Sequence, residues 1–121
     1  MQLEAIIVLE DGKAEDVTRI LLQSGYSAVF VDDLEKAMIR LSHNGYRAAV
    51  MTGAANADPV EFAVRTQDRN SDIPVVVVAE AADEPERRAL EKMDNVYLIH
   101  NPARDLIPML EEIIGGLGRE S

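Results

Sequence analysis

Four valines in a row, Val75-Val76-Val77-Val78, stand inside a 121-residue chain, led by Ile73-Pro74 and followed by Ala79. A strand with one wet face alternates apolar and polar residues. A run without alternation suits a strand covered on both faces. Valine's branched side chain also fits a buried pleated surface well. Residues 73–79 therefore read as a central or near-central strand, with other layers above and below it.

Four more runs read as strands, and the first and third of the chain are unalternating in the same way. Glu4-Ala5-Ile6-Ile7-Val8-Leu9 reads as the first strand and ends in Glu10-Asp11-Gly12, two adjacent carboxylates and a turn residue. Tyr26-Ser27-Ala28-Val29-Phe30-Val31 reads as the second, and Arg47-Ala48-Ala49-Val50-Met51-Thr52-Gly53 as the third. Asn95-Val96-Tyr97-Leu98-Ile99 reads as the fifth. Between them, apolar residues fall at helical spacing. Val17, Ile20 and Leu21 mark a first helix over 13–24, stopped by Gly25 in the manner of a C′ glycine. Leu34, Ala37, Met38 and Leu41 stripe a second helix over 34–43, with Asp33 as its N-cap. Lys36 at the N3 position rules out a full capping box. Asp58 reads as the N-cap of a third helix, with Pro59 first and Glu61 at N3. Pro85 opens a fourth helix after an acidic loop. A fifth runs to Ile114, with Asp105 as the expected N-cap and Pro108 in its first turn, where a missing N–H costs little.

Five strands alternating with five helices imply parallel strands joined by right-handed crossovers, a three-layer α/β/α sandwich. Residues 1–114 form one domain in this reading. The glycines of 115–121 read as a tail or the start of a linker to an output domain. Acidic residues outnumber basic ones 22 to 12, a formal net charge of −10. Such a surface repels phosphate, so direct binding of nucleic acid or an anionic membrane by this domain is not expected. There is no cysteine, hence no disulfide, thiolate zinc site or cysteine nucleophile. The start Met1-Gln2-Leu3-Glu4 lacks the basic residues of a signal peptide, and a cytoplasmic domain is expected.

In an open α/β sheet the chemistry sits at the carboxyl ends of the strands. Here those ends carry, in order, Glu10-Asp11, Asp32-Asp33, Thr52-Gly53, Ala79-Glu80 and His100-Asn101-Pro102. With the proline-led fourth strand and the Asp32-Asp33-Leu34-Glu35-Lys36-Ala37 turn, this order resembles the receiver domain of two-component response regulators, from Glu4 to about Ile114. The resemblance implies a flavodoxin-like sheet of order 2-1-3-4-5, with helices one and five on one face and two, three and four on the other. It also implies a cis bond at Asn101-Pro102, where the family has a lysine followed by proline. In such domains an aspartate ending strand three accepts a phosphoryl group, and it holds Mg²⁺ together with the acidic pair. A Ser or Thr hydroxyl after strand four and the lysine after strand five bind the phosphoryl oxygens. At the matching positions this chain keeps Glu10 and Asp11 but has Thr52, Ala79 and Asn101.

The pocket is thus of a degenerate, pseudo-receiver type. A threonine hydroxyl is a poor nucleophile without an adjacent base. No catalytic residue, cofactor or metal is expected. A weak Mg²⁺ site at Glu10 and Asp11 is weighed against a merely solvated strand end. Thr52 and Asn101 read either as a neutral hydrogen-bonded pocket or as two unrelated polar residues. The family's switch aromatic would fall at Leu98, and alternation puts Tyr97 on the opposite face. The implied function is non-enzymatic signalling or transcription regulation through contact with a protein partner or output domain, including homodimerisation. The implied contact face is helix four, strand five and helix five, which carries Arg87, Arg88, Glu91, Lys92, Arg104 and Glu111. Two other functions are open: a phosphorylatable regulator with Asp58 as an unconventional acceptor, and a flavin or nucleotide carrier. The latter is disfavoured by Glu10-Asp11, whose charge would repel phosphate, and by an aromatic content of only 4%.

Overall fold

Residues 5–10, 16–42, 45–53, 58–69 and 72–114 are described in a computed structural model of the chain. The elements follow one another as β1 (Ala5–Glu10), α1 (Asp16–Gln23), β2 (Ser27–Val31), α2 (Leu34–Leu41), β3 (Tyr46–Gly53) and α3 (Pro59–Arg69). Then come β4 (Val75–Val78), a single 3₁₀ turn (Ala79–Ala81), α4 (Glu84–Glu91), β5 (Val96–Ile99) and α5 (Pro102–Ile114). The five strands form one sheet in the order β2-β1-β3-β4-β5, every pair parallel.

The unalternating apolar runs are the three inner strands. All four valines of β4 are buried, and so are Ala5 to Leu9 and Ala48 to Met51. Their side chains divide by parity into two cores. Ile7, Leu9, Ala49, Met51, Val75 and Val77 pack under α2, α3 and α4 with Met38, Phe62 and Leu90. Ile6, Val8, Ala48, Val50, Val76 and Val78 pack under α1 and α5 with Leu21, Leu106 and Leu110. The helices therefore take the two faces that the sequence implied. Fully burying one such Leu or Ile stabilises the fold by about 1.5–3 kcal/mol. Tyr97 packs in the α1–α5 layer and Leu98 in the other, as alternation requires.

Helix starts follow local chemistry. The Asp33 carboxylate accepts the Lys36 N–H at 2.7 Å, and that of Asp58 accepts the Val60 and Glu61 N–H groups at 2.7 and 3.2 Å. At α4 the sequence reading is incomplete. Asp83 is the N-cap and forms a full capping box with Glu86, so the helix starts at Glu84. At α5 it is wrong. The helix starts at Pro102, and Asp105 lies one turn inside it rather than capping it. Asn101 is the cap: its Oδ1 accepts the Ala103 N–H at 3.0 Å, and its carbonyl accepts the Asp105 N–H at 2.7 Å. Pro108 consequently falls within the helix, on its exposed side, and the Arg104 carbonyl loses its intrahelical donor. The Asn101–Pro102 bond is trans, against the expectation carried by the resemblance. Gly25 has φ 91°, the left-handed geometry expected of a glycine that ends a helix.

Candidate functional site

The carboxyl ends of β1, β3, β4 and β5 gather at one edge of the sandwich. Val77 stands beside Met51 and Leu98 in register, so the residues just beyond them share this edge: Thr52, the Ala79 turn and the His100–Asn101 segment. The backbone of Glu10 closes β1 there. Its side chain, and all of Asp11, lie outside the described residues.

Thr52 occupies an irregular position. Leu9 pairs with Met51 and Glu10 with Gly53, so Thr52 is the extra residue of a bulge between β1 and β3. Bulges re-aim a side chain and recur beside functional sites. Here the Thr52 Oγ1 is turned out of solvent and has no hydrogen-bond partner among the described residues. A threonine hydroxyl without an adjacent base is a poor nucleophile, and no described residue forms a hydrogen bond with this one. Ala79 is buried and offers only its carbonyl, which accepts from the Arg87 guanidinium of α4 at 3.3 Å.

Asn101 is exposed and makes no hydrogen bond to Thr52. Its amide oxygen caps α5, and its backbone N–H donates to the Asp105 Oδ2 at 3.1 Å. Arg104 closes the other side of that carboxylate, its Nε 2.7 Å from Oδ1 and its Nη2 3.2 Å from Oδ2. The Arg104 guanidinium, aided by the Asn101 and His100 N–H groups, holds the Asp105 carboxyl well below the ordinary carboxylate range. A hydrogen-bonded pocket joining Thr52 to Asn101, one of the two sequence readings, is therefore not formed. Arg104 is thus engaged with its own neighbour in α5. Asp58 is an N-cap, and its Oδ1 is occupied by two backbone N–H groups. His100 is exposed, and His43 lies outside the described residues.

Among the described residues no group of three or more His, Cys, Asp or Glu side chains could hold a metal ion. A hard dication such as Mg²⁺ favours carboxylate oxygens, and Thr52 beside the end of β3 offers only a neutral hydroxyl. The described donor set does not fit that ion. No helix among the described residues is long and apolar enough to cross a membrane.

The partner-face residues flank the edge strand β5. Glu91, Lys92 and Glu111 are exposed. Arg88 pairs with Glu84 at 3.0 Å and Arg104 with Asp105, while Arg87 turns inward to the Ala79 carbonyl. A groove of about 280 Å³ runs here between β5 and α5, lined in part by Leu98, His100, Arg104 and Met109. Two features of the site lay outside the sequence reading, the capping box at Asp83 and the Asn101–Asp105–Arg104 cluster. The Asp-x-x-Glu spacing of 83–86 and the Asn-Pro pair were their signals.

No protein-family model and no curated protein sequence matches the chain. Solved structures do. A CheY-like response regulator receiver domain from Methanospirillum hungatei superposes with a TM-score of 0.76 at 17% identity, over 92% of this chain and 93% of that one. The receiver domain of a sensor histidine kinase from Pseudomonas aeruginosa, which holds a magnesium ion in its active-site cleft, gives 0.76 at 20% identity over 94% and 99%. An atypical orphan response regulator with a phosphorylation-independent regulatory mechanism gives 0.68 at 20% identity over 95% and 99%. The order β2-β1-β3-β4-β5, the division of helices between two faces and these superpositions agree: the chain has the CheY-like receiver fold of response regulators.

Proposed function

We propose that this chain is a pseudo-receiver, a cytoplasmic regulatory domain that acts by protein contact instead of phosphoryl transfer. The observation that carries this reading is the end of β3, where the residue at the acceptor position is Thr52, whose buried hydroxyl has no hydrogen-bond partner among the described residues. Ala79 and Asn101 deepen the loss. Neither supplies a charge or hydroxyl to a phosphoryl oxygen, and Asn101 is occupied in capping α5. The likeness to an atypical orphan regulator with a phosphorylation-independent mechanism supports the same reading. The contact surface is the α4, β5, α5 face, and a second copy or an output domain is its partner in signalling or transcription regulation. Its exposed charges are of both signs, which suits reciprocal pairs across a two-fold axis.

Incubation with acetyl phosphate and Mg²⁺, read by intact mass, tests the proposal. The native chain is expected to gain no phosphoryl mass. Thr52→Asp supplies a nucleophile and a carboxylate for the metal, yet on its own it is expected to give only slight uptake. It leaves no hydroxyl or lysine to bind the phosphoryl group, and each hydrogen bond to a charged acceptor is worth about 1.5–3 kcal/mol. The triple change Thr52→Asp, Ala79→Thr, Asn101→Lys should take up far more. Stoichiometric uptake by the native chain would overturn the proposal.

A further inference from the structure

β3 carries a second bulge, at the opposite end from Thr52. Ala5 pairs with Tyr46 and Ile6 with Ala48, so Arg47 is the extra residue. Alternation counted back from Met51 and Ala49 would put Arg47 in the layer under α2, α3 and α4. A bulge re-aims the side chain it carries. From a part-buried position the Arg47 Nη2 donates instead to the carbonyl of Ile114, the last residue of α5, at 2.8 Å.

The end of α5 needs such a donor. The last four carbonyls of a helix have no intrahelical partner, and the helix dipole makes that end negative. A cation in the last turn ordinarily offsets this charge. α5 has no basic residue there and carries Glu111 and Glu112 instead, both exposed. Two carboxylates at the negative end of a dipole oppose the turn that holds them. Packing is also weaker here. Leu110 is fully buried, whereas Ile113 and Ile114 are only partly buried against the α1–α5 core. The helix is thus anchored as far as Leu110, and the turn beyond it combines partial burial with unfavourable charge. The cation that answers this charge comes from a residue 67 positions earlier in the chain.

We propose that Arg47 is a strap on the last turn of α5: residues 111–114 open and close as a unit, and Arg47 holds them closed. The turn carries Glu111, one of the charges of the α4, β5, α5 face, so the strap sets whether that end of the face is formed. Its bearing on the face rests on the function proposed above. The strap itself rests on a hydrogen bond and on the charge of a helix end, and it does not involve Thr52.

Amide hydrogen exchange at Glu111 to Ile114, with Cα chemical shifts as a check on the fold, tests the strap. In Arg47→Gln these amides are expected to exchange about tenfold faster, the effect of losing a hydrogen bond from a charged donor, while the β4 shifts stay in place. Glu112→Gln in the native background, at an exposed position, should slow the same amides by about twofold. Adding Glu112→Lys to Arg47→Gln should win back about threefold of the lost protection, because a cation then stands in the last turn itself. Three results would overturn the proposal: exchange at 111–114 that Arg47→Gln leaves unchanged, β4 shifts lost in that variant, or no effect of either change at Glu112. Sedimentation reads the bearing on the face, where Arg47→Gln should weaken self-association. A native chain that stays monomeric overturns self-association through that face, while exchange alone decides the strap, so the two proposals fall separately.

Discussion

Thr52 and Thr66 are both hydroxyls withdrawn from water without a hydrogen-bond partner among the described residues, but their settings differ. Thr52 lies on a bulge next to the last residue of β3, at the carboxyl edge of the sheet. Thr66 is fully buried on the inner side of α3, beside Phe62 and Ala63. A buried polar group left unsatisfied costs about 1–3 kcal/mol, so Thr66→Val should stabilise the fold by about 1 kcal/mol in urea unfolding. A loss of similar size would mean that the hydroxyl has found a partner. Asn101 shows the opposite economy. Its amide oxygen is engaged in local structure, accepting an orphan N–H of α5.

The first turn of α5 is held by one carboxylate. Asp105 accepts from the Asn101 N–H and from both sides of the Arg104 guanidinium fork. Its folded pKa is depressed, chiefly by the Arg104 bond and next by the Asn101 N–H. A group with a depressed folded pKa stabilises the fold fully above its unfolded pKa, near 3.8, and that contribution is lost as pH falls below this value. Acid titration between about pH 4 and 2 should therefore loosen the start of α5 before the core unfolds. In Asp105→Asn the same amides should already exchange faster at neutral pH and show no further acid step. Exchange at Ala103 to Leu106 reads the difference. The other surface pairs, Arg65 with Glu35 and Arg88 with Glu84, are exposed and contribute about 0–1 kcal/mol each.

At the scale of the whole molecule, the sheet separates two cores that do not share side chains. Ile73 belongs to the layer under α2, α3 and α4, and Ile99 to the layer under α1 and α5, at opposite ends of neighbouring strands. Ile73→Val and Ile99→Val should each cost about 0.5–1.5 kcal/mol. In the double variant the losses should add within about 0.5 kcal/mol, because the two sites have no common partner. Denaturant titration of the three variants checks this, and a coupling well above that figure would mean that strain passes through the sheet.

Strand identity was legible in the amino-acid sequence because it is set by local pattern, while the strand order and the assignment of helices to the two faces came from the resemblance to receiver domains. An apolar run without alternation must be covered on both sides, and a 3.6-residue stripe must face a core. Asp33 and Asp58 were legible as caps for the same reason, since a cap is decided within three residues of itself. The Asn101–Pro102 pair carries the same signal as Asp58–Pro59, a cap followed by proline at the first helical position. Through the likeness to a lysine-proline pair it reads instead as part of a pocket, and the helix start then slips to Asp105. Tertiary structure decided the rest. The bulge that withdraws Thr52 depends on the register between β1 and β3, strands separated in sequence by a helix, a strand and a second helix. The engagement of Asn101 with the Ala103 N–H and of Arg87 with the Ala79 carbonyl depends on which backbone groups lie within reach once the layers have packed. The sequence determines which faces are buried, while the partners of a polar side chain are settled only when elements distant in the chain are brought together.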